Sequence, residues 1–416
     1  MKEELRKRRS WLDGFMAYPA PAGLSETQLR DNIILLDQAL YALWNLGDNL
    51  IYAWTPEPRG LRVLVAPHPM LTEFALGDGS MPPDELTRRA RLLDKLLSNQ
   101  EHLDSHAFDA VAAALGIAPK FIDLPFAPER GLGLPLIAAI AARYGIRLVE
   151  DRAVILFDAV GFSLLTPLQQ VVQLNSLSCS VNAAYAKLLD REININFART
   201  TTGDGFYIWN RMRGVEANIE LYQLMQFILA DNALAHERAT RPEAVPKLRA
   251  CFHVGSHYEF YQSEGLNPTS FSYLVGQVTI ELARMIERAE PGQILVGKFN
   301  TLMHDEASGE DVRIDSLDFV ERTRAPLRSL NGLKLAGSEV DEIACYLTGR
   351  RDSTGLWGIS EYHMADKHGL IHRVYNAKIN IHRRNGEPIY LGLREEDLPP
   401  DAPRTTAETD STPLQA

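Results

Sequence analysis

Two short segments decide the fold of this chain: VILFDAVGFS at residues 154–163 and TTTGDGFYI at residues 200–208. The first is an apolar run that ends in Asp158 and a glycine turn, which predicts a buried strand with the carboxylate at its carboxyl end. The second predicts a hairpin with Gly203-Asp204-Gly205 as its turn, between strands at 193–197 and 206–209. If these strands are neighbours, Asp158 and Asp204 meet at one rim of a sheet.

A pair of carboxylates at such a rim is suited to holding divalent cations. Mg²⁺ prefers oxygen ligands and usually keeps waters and substrate phosphates around it, so two carboxylates suffice when a triphosphate supplies the rest. Two such ions activate an attacking oxygen and neutralise a leaving one. An Asp next to Gly is also a common turn residue, so the prediction depends on the pair.

The whole chain has 416 residues, 45% of them apolar, and a net charge of −11. Its length predicts two or three domains. No apolar stretch approaches the roughly 20 residues of a spanning helix, and the basic start is not followed by an apolar signal core, so we expect no membrane span and a cytoplasmic protein. The negative charge disfavours broad nucleic-acid binding. Cys179, Cys251 and Cys345 are odd in number and far apart, which predicts small buried residues and not disulfides or a zinc site.

Composition and periodicity divide the chain into four parts: residues 1–148, 149–300, 301–395 and 396–416. The first is predicted to be mainly helical, with one or two strands, and its role is unknown. Its helices are expected near 25–46, where Ser25 is a plausible cap, and then near 82–97, 107–115 and 135–144, with a strand at 61–65. The last part is rich in Pro, Thr and Asp and is predicted to be disordered.

From residue 149 to 300, strands and helices alternate in the order strand, helix, hairpin, helix, strand, helix, strand. This order predicts an α+β fold, a ferredoxin-like or palm-type mixed sheet with packed helices. The first helix, at 167–189, is predicted to pack through Leu168, Val171, Val172, Leu174, Ala183, Ala186 and Leu189. Residues 301–395 are predicted to form a helix followed by a β-rich module, with helices at 315–330 and 339–348 and strands within 357–390.

The middle part resembles the catalytic domain of the class III nucleotidyl cyclases, as a divergent member, over about residues 153–296. FDAVGFS at 157–163 is similar to the family's first metal motif, and TGDG at 202–205 to its second. HVG at 253–255 is similar to its central H-x-G strand end. GQVTIELARM at 276–285 resembles the helix written G-D-x-V-N-x-A-x-R, and PGQILV at 291–296 fits the closing strand.

This resemblance implies conversion of a nucleoside triphosphate into a 3′,5′-cyclic nucleotide and pyrophosphate, at sites built across a head-to-tail homodimer. It implies that Asp158 and Asp204 hold two ions, Mg²⁺ or Mn²⁺, in one subunit. Arg284 of the other subunit would stabilise charge that develops on the phosphoryl group. The substrate contacts that it implies are Phe162, Ser163, Thr200, Gly203 and Gln277.

Three positions depart from the family's pattern. Ile280 stands where the family has a transition-state Asn, and Ile cannot donate a hydrogen bond. Thr200 and Gln277 stand where the family reads a purine with Lys and with Asp or Thr; a neighbouring register gives those roles to Arg199 or Glu281. The base is therefore not assigned, and some bacterial members of the family, including pyrimidine cyclases, are atypical at the same positions.

Two other functions stay open. The departures are compatible with a catalytically degenerate cyclase fold that binds nucleotide or a partner as a regulator. A palm-like sheet that makes another phosphodiester bond is the third reading, and the absence of a GGDEF-type hairpin counts against it. The histidines near Asp366 are predicted to be surface or hairpin residues, because their spacing does not establish a metal site; they are His363, His368, His372 and His382.

Overall fold

The computed structural model describes residues 15–16, 18, 20–77, 79–98, 102–263, 270–350, 358–366 and 369–398. The basic start, His368 and residues 399–416 of the predicted tail lie outside these ranges. The chain divides into two compact units. One contains Met1–Val149 and His257–Val275, and the other contains Glu150–Ser256 and Gly276–Ala416.

The first unit combines helices with a three-stranded antiparallel sheet in the order β1-β2-β3. Helix α1 begins as predicted, because the side chain of Ser25 accepts the backbone N–H of Gln28 and Gln28 returns the contact in a capping box. Too few strands were predicted from the sequence in this unit, because β1, which is almost entirely buried, was missed. The elements are α1 (Glu26–Trp44), β1 (Asn49–Glu57), β2 (Gly60–Pro67), α2 (Met70–Leu76), α3 (Pro83–Ser98), α4 (Ser105–Leu115), β3 (Lys120–Asp123), α5 (Pro128–Gly131) and α6 (Leu134–Ala141).

The second unit contains most of a large mixed sheet with helices packed on it, which confirms the predicted α+β class. Two strands, β4 (Ile146–Ala159) and β7 (Leu248–Ser263), run through both units, and β8 (Ser270–Val275) belongs to the first. The remaining elements up to the closing strand are α7 (Pro167–Leu189), β5 (Phe197–Thr201), β6 (Gly205–Asn210), α8 (Val215–Arg238), α9 (Gln277–Arg288) and β9 (Ile294–Gly297).

The strands after residue 300 continue the same sheet. Among the described residues its order is β12-β13-β15-β9-β7-β4-β6-β5, with β14 and β16 paired to β15 and β8 paired to β7. The hairpin of β10 and β11 forms a separate two-stranded sheet. These elements are β10 (Asn300–Asp305), β11 (Glu310–Asp315), α10 (Ser316–Arg322), α11 (Arg324–Arg328), β12 (Lys334–Leu335), β13 (Ser338–Thr348), β14 (Glu361–Ala365), β15 (Ile371–Arg384) and β16 (Gly386–Leu391).

The predicted packing face of α7 is wrong, although its bounds are right. None of the seven residues predicted to pack is buried, and Leu168 and Val171 are 75% and 64% exposed. The helix has apolar residues on two faces, and a row with spacings of four, three and four residues toward its carboxyl end joins the core of the unit. That row consists of Leu177, Val181, Ala184 and Leu188.

Two further expectations are corrected. Residues 339–348 form strand β13 and not a helix, because Val340, Ile343, Cys345 and Leu347 face the core while β15 supplies the backbone partners. Pairing with a neighbouring strand overrides a weak local preference. Cys251 and Cys345 are buried as expected, whereas Cys179 on α7 is exposed.

Candidate metal and nucleotide site

Asp158 is placed by the alternation of strand β4. Ala153, Ile155 and Phe157 point into the core that the sheet shares with α7 and α8, so Asp158 lies on the opposite face of the sheet. Its neighbour across the strand pair is Gly205 of β6. The residue is 8% exposed, which makes it a buried carboxylate at the end of a central strand.

The β5–β6 turn brings Asp204 to the same rim. Gly203 has φ +102°, a conformation that glycine adopts without strain. A Cβ on Gly205 would lie 1.8 Å from the carbonyl oxygen of Phe157, so only glycine permits this approach of β6 to β4. The Asp204 carbonyl accepts the Ala159 N–H at 3.0 Å, and Asp204 Oδ1 accepts the Thr202 hydroxyl at 3.1 Å. The turn is therefore fixed against the strand that carries Asp158.

Asp158 is paired with Gly205, the residue after Asp204, so the two carboxylates lie at the same rim and interact electrostatically. The pKa of Asp158 is raised above its ordinary value of 3.8, first because the group is buried. An ion pair with Arg249 opposes this shift, and the negative charge of Asp204 adds to it. Burial and a like charge both disfavour the ionised form of Asp158.

Arg249 is the residue that the sequence reasoning missed. It lies on β7, where its Nε donates to Asp158 Oδ2 at 2.6 Å and its NH1 donates to the carbonyl of Ala289 at 2.9 Å. The predicted strand began at Ala250 and left Arg249 out. The alternation was the available signal: Ala250 and Phe252 face the core, so Arg249 must face the carboxylate side.

The residues implied as substrate contacts lie on three elements around this rim. Phe162 and Ser163 form a short 3-10 turn after Gly161, directly downstream of Asp158. Thr200 lies in β5, paired with Tyr207, and Gly203 lies in the turn with Asp204. Gln277 is exposed at the start of α9. The Tyr207 hydroxyl donates to the carbonyl of Thr279 at 3.2 Å, which ties α9 to β6.

Arg284 is not brought to the carboxylate pair within the subunit. Its NH1 lies 3.2 Å from Glu287 Oε1 on the same helix, and its Nε lies 3.4 Å from Asp366 Oδ2, just after β14. An arginine that acts only across a dimer would be placed away from its own subunit's carboxylates.

The predicted surface position of the histidines is wrong for His372. It lies on β15, is 6% exposed, and its Nδ1 is hydrogen-bonded to Glu281 of α9. That bond engages Glu281, the residue that the alternative register places in contact with the nucleotide base. His363 contacts Glu361 at 3.2 Å, and His382 lies against the ring of Tyr390.

The donor set at the rim fits hydrated divalent cations. In the part of the chain that the structure describes, no three or more His, Cys, Asp or Glu side chains converge as a metal cluster. Two carboxylates match instead an ion that takes its remaining oxygens from water and a triphosphate. The same described residues include no helix long and apolar enough to cross a membrane.

Several solved structures are similar to part of this chain. The guanylyl cyclase Cya2 matches over 56% of this chain and 92% of its own, at 13% identity and a TM-score of 0.33. The guanylate cyclase domain of RhGC from Catenaria anguillulae, solved in complex with GTP, matches over 57% and 100%, at 11% identity and a TM-score of 0.33. The adenylyl cyclase CyaB from P. aeruginosa matches over 61% and 100%, at 12% identity and a TM-score of 0.28.

These proteins are guanylyl and adenylyl cyclases. At 11 to 13% identity, the similarity concerns the fold alone. No protein-family model and no curated protein sequence matches it.

Proposed function

We propose that this protein is a divalent-metal-dependent nucleotidyl cyclase that makes an intracellular cyclic nucleotide signal. In the reaction, the 3′-hydroxyl oxygen of a nucleoside triphosphate attacks the α-phosphorus and loses its proton to water. The bond from the α-phosphorus to the oxygen that bridges it to the β-phosphorus breaks, and pyrophosphate leaves. The products are a 3′,5′-cyclic nucleotide and pyrophosphate.

The observation that carries the proposal is that Asp158 and Asp204 lie at one rim, where the charge of Asp204 contributes to the raised pKa of Asp158. These two residues would hold two Mg²⁺ or Mn²⁺ ions, which supply activation of the 3′-oxygen and neutralisation of the phosphates. Metal binding requires both carboxylates to be ionised. The hydrogen bond from the Ala159 N–H to the Asp204 carbonyl keeps the two residues at the same rim.

Arg249 has a second role in this proposal. Its guanidinium now compensates the charge of Asp158 at 2.6 Å. When cations take over that compensation, the planar fork of Arg249 is placed to bind an oxygen of the triphosphate. The side chain is 25% exposed, which leaves part of the guanidinium accessible to a ligand.

We also propose a homodimer in which Arg284 of each subunit serves the other's carboxylate pair. Large apolar side chains of the second unit support an interface. Leu164, Leu168 and Val171 are 89%, 75% and 64% exposed along the start of α7, and Ile280 on α9 is 57% exposed. Exposed apolar residues in such a row indicate a surface that another protein surface covers.

The test is incubation of the purified chain with ATP, GTP, CTP or UTP and Mn²⁺, with separation of the products by chromatography. The expected result is a cyclic nucleotide and an equal amount of pyrophosphate from at least one triphosphate, both abolished by EDTA. A chain that gives neither product at any protein concentration contradicts the proposal.

A second candidate is a binding module that keeps the fold without turnover. The apolar, exposed side chain of Ile280 and the engagement of Glu281 by His372 favour it, because both lie on the helix that the family uses for catalysis. Thermal stabilisation of the chain by a nucleoside triphosphate and Mn²⁺, with no product formed, is the result that supports this candidate over the first.

A further inference from the structure

A buried ionic cluster joins helix α9 to the β14–β15 hairpin of the second unit. Glu281 and Arg284 lie three residues apart and therefore on one face of α9. Glu281 is hydrogen-bonded to Nδ1 of His372, and Arg284 Nε lies 3.4 Å from Asp366 Oδ2. His372 Nε2 lies 3.5 Å from the same Asp366 oxygen. Each of the two elements thus contributes one acidic and one basic side chain, and each contact between the elements joins an acid to a base.

Asp366 is the centre of this cluster. Its side chain is 3% exposed, and a carboxylate this deeply buried needs cationic or hydrogen-bonding partners. Its Oδ1 accepts the Leu370 N–H at 2.9 Å, which fixes the carboxylate against its own turn. Its Oδ2 is left for Arg284 and His372. The position of the carboxylate is therefore set by the hairpin and not by the helix.

Arg284 has one contact with a buried carboxylate and one with an exposed carboxylate. The buried contact engages Nε, whereas NH1 contacts Glu287, whose side chain is 53% exposed. The end of the guanidinium therefore reaches the surface while its inner edge is anchored. The long side chain of an arginine loses conformational entropy when it binds a phosphate. Anchoring Nε beforehand removes much of that cost, because the fork is then already directed outward.

We infer that Asp366 and His372 are positioning residues that fix Arg284 in the orientation needed to stabilise charge on a phosphoryl group. The inference rests on the proposed cyclase function and assigns a catalytic contribution to the strands after residue 358, beyond the segment that carries the cyclase motifs. His372 positions Arg284 indirectly. Its Nδ1 is hydrogen-bonded to Glu281 and so joins the hairpin to α9, and its Nε2 lies 3.5 Å from Asp366 Oδ2.

Two variants with the same chemical change separate this role from a general effect on charge. Asp366→Asn removes the buried partner of Arg284, and Glu287→Gln removes the exposed one as a matched control. We expect Asp366→Asn to lower kcat about 10- to 100-fold with KM changed less than about twofold, because misplacing a group that acts in the transition state lowers turnover more than substrate binding. Glu287→Gln is expected to stay within about twofold of wild type.

The decisive comparison is the effect of Asp366→Asn in an Arg284→Ala background. If Asp366 acts through Arg284, Asp366→Asn lowers kcat less than about twofold in the Arg284→Ala background. The same loss in both backgrounds shows a structural role and overturns the inference, as does wild-type kcat for Asp366→Asn. If Asp366→Asn does not fold in a thermal unfolding assay, His372→Gln is measured by the same criteria. An inactive wild-type chain refutes the proposed function, which is a different result.

Discussion

Arg249 Nε and Asp158 Oδ2 are 2.6 Å apart, and this ion pair joins the first residues of β7 to the last residues of the neighbouring strand β4. The pair partly offsets the cost of burying Asp158, whose pKa is nevertheless raised by burial and by Asp204. Arg249 thus compensates part of the negative charge of Asp158. Asp158 and Asp204 are the residues that would hold a divalent cation, which would supply further positive charge at this rim.

Substitution of Arg249 tests its predicted role at the phosphates. Arg249→Met keeps much of the side-chain volume but removes the charge, and we expect kcat/KM to fall about 100-fold or more, because a phosphate contact and the partner of Asp158 are lost together. Arg249→Lys keeps the charge without the planar fork and should lose about tenfold. Steady-state kinetics gives both values. Arg384→Met, at a side chain that is 66% exposed, is the control and should match wild type. Equal kcat/KM for all four proteins contradicts the role.

The raised pKa of Asp158 predicts how the stability of the metal-free protein depends on pH. The folded state holds the Asp158 proton more tightly than the unfolded state, whose pKa is near 3.8. This contribution to stability is therefore fully present below pH 3.8 and is lost as pH rises through the folded-state pKa. Asp204→Asn removes the neighbouring negative charge and lowers the pKa of Asp158. The loss of stability with rising pH is therefore smaller in this variant.

The measurement is the free energy of unfolding in urea at a series of pH values, for wild type and Asp204→Asn without metal. Asp190→Asn, an exposed aspartate at the end of α7, is the matched control for the loss of one carboxylate. The difference between Asp204→Asn and wild type should grow in favour of the variant as pH rises. An identical pH dependence in the two proteins shows that the carboxylates do not interact.

The two glycines of the turn are predicted to differ in their tolerance of a side chain. Gly205→Ala places a Cβ 1.8 Å from a backbone oxygen of β4, so the strands must separate. We expect a loss of about 3 kcal/mol or more in the free energy of unfolding. Gly203→Ala meets no atom within 4 Å and costs only its unfavourable φ of +102°, about 1–3 kcal/mol. Denaturant unfolding compares them, and a larger loss for Gly203→Ala would be inconsistent with the described register.

How much of this the sequence predicted differs between elements. The strand that ends at Asp158, the turn with Asp204 and the bounds of α7 follow from local patterns, because apolar runs, glycine pairs and a Thr-Pro helix start are strong signals. The packing face of α7 does not follow from local patterns, because the helix has two apolar faces and only the tertiary structure determines which one is buried. Arg249 and the Asp366–His372 cluster were missed for the same reason, since their partners are distant in the chain.

Mixing two strongly impaired variants tests whether the site is shared between subunits. Asp158→Asn and Arg284→Ala each lower the activity of both sites of a homodimer to a small residual level. After subunit exchange, about half of the dimers are mixed, and each mixed dimer contains one site with both residues intact. We expect recovery of about one quarter of wild-type activity. No recovery from an exchanged mixture, with mixed dimers verified by mass spectrometry, shows that Arg284 does not act across a dimer.

The most direct test of the central claim, that Asp158 and Asp204 together hold the divalent cations, is titration of Mn²⁺ followed by electron paramagnetic resonance. The titration is made in the presence of each nucleoside triphosphate, for wild type, Asp158→Asn, Asp204→Asn and the exposed control Asp190→Asn. The account predicts that wild type and Asp190→Asn bind Mn²⁺ alike, and that each of the other two variants binds it at least about tenfold more weakly. Equal Mn²⁺ affinity in all four proteins would contradict it.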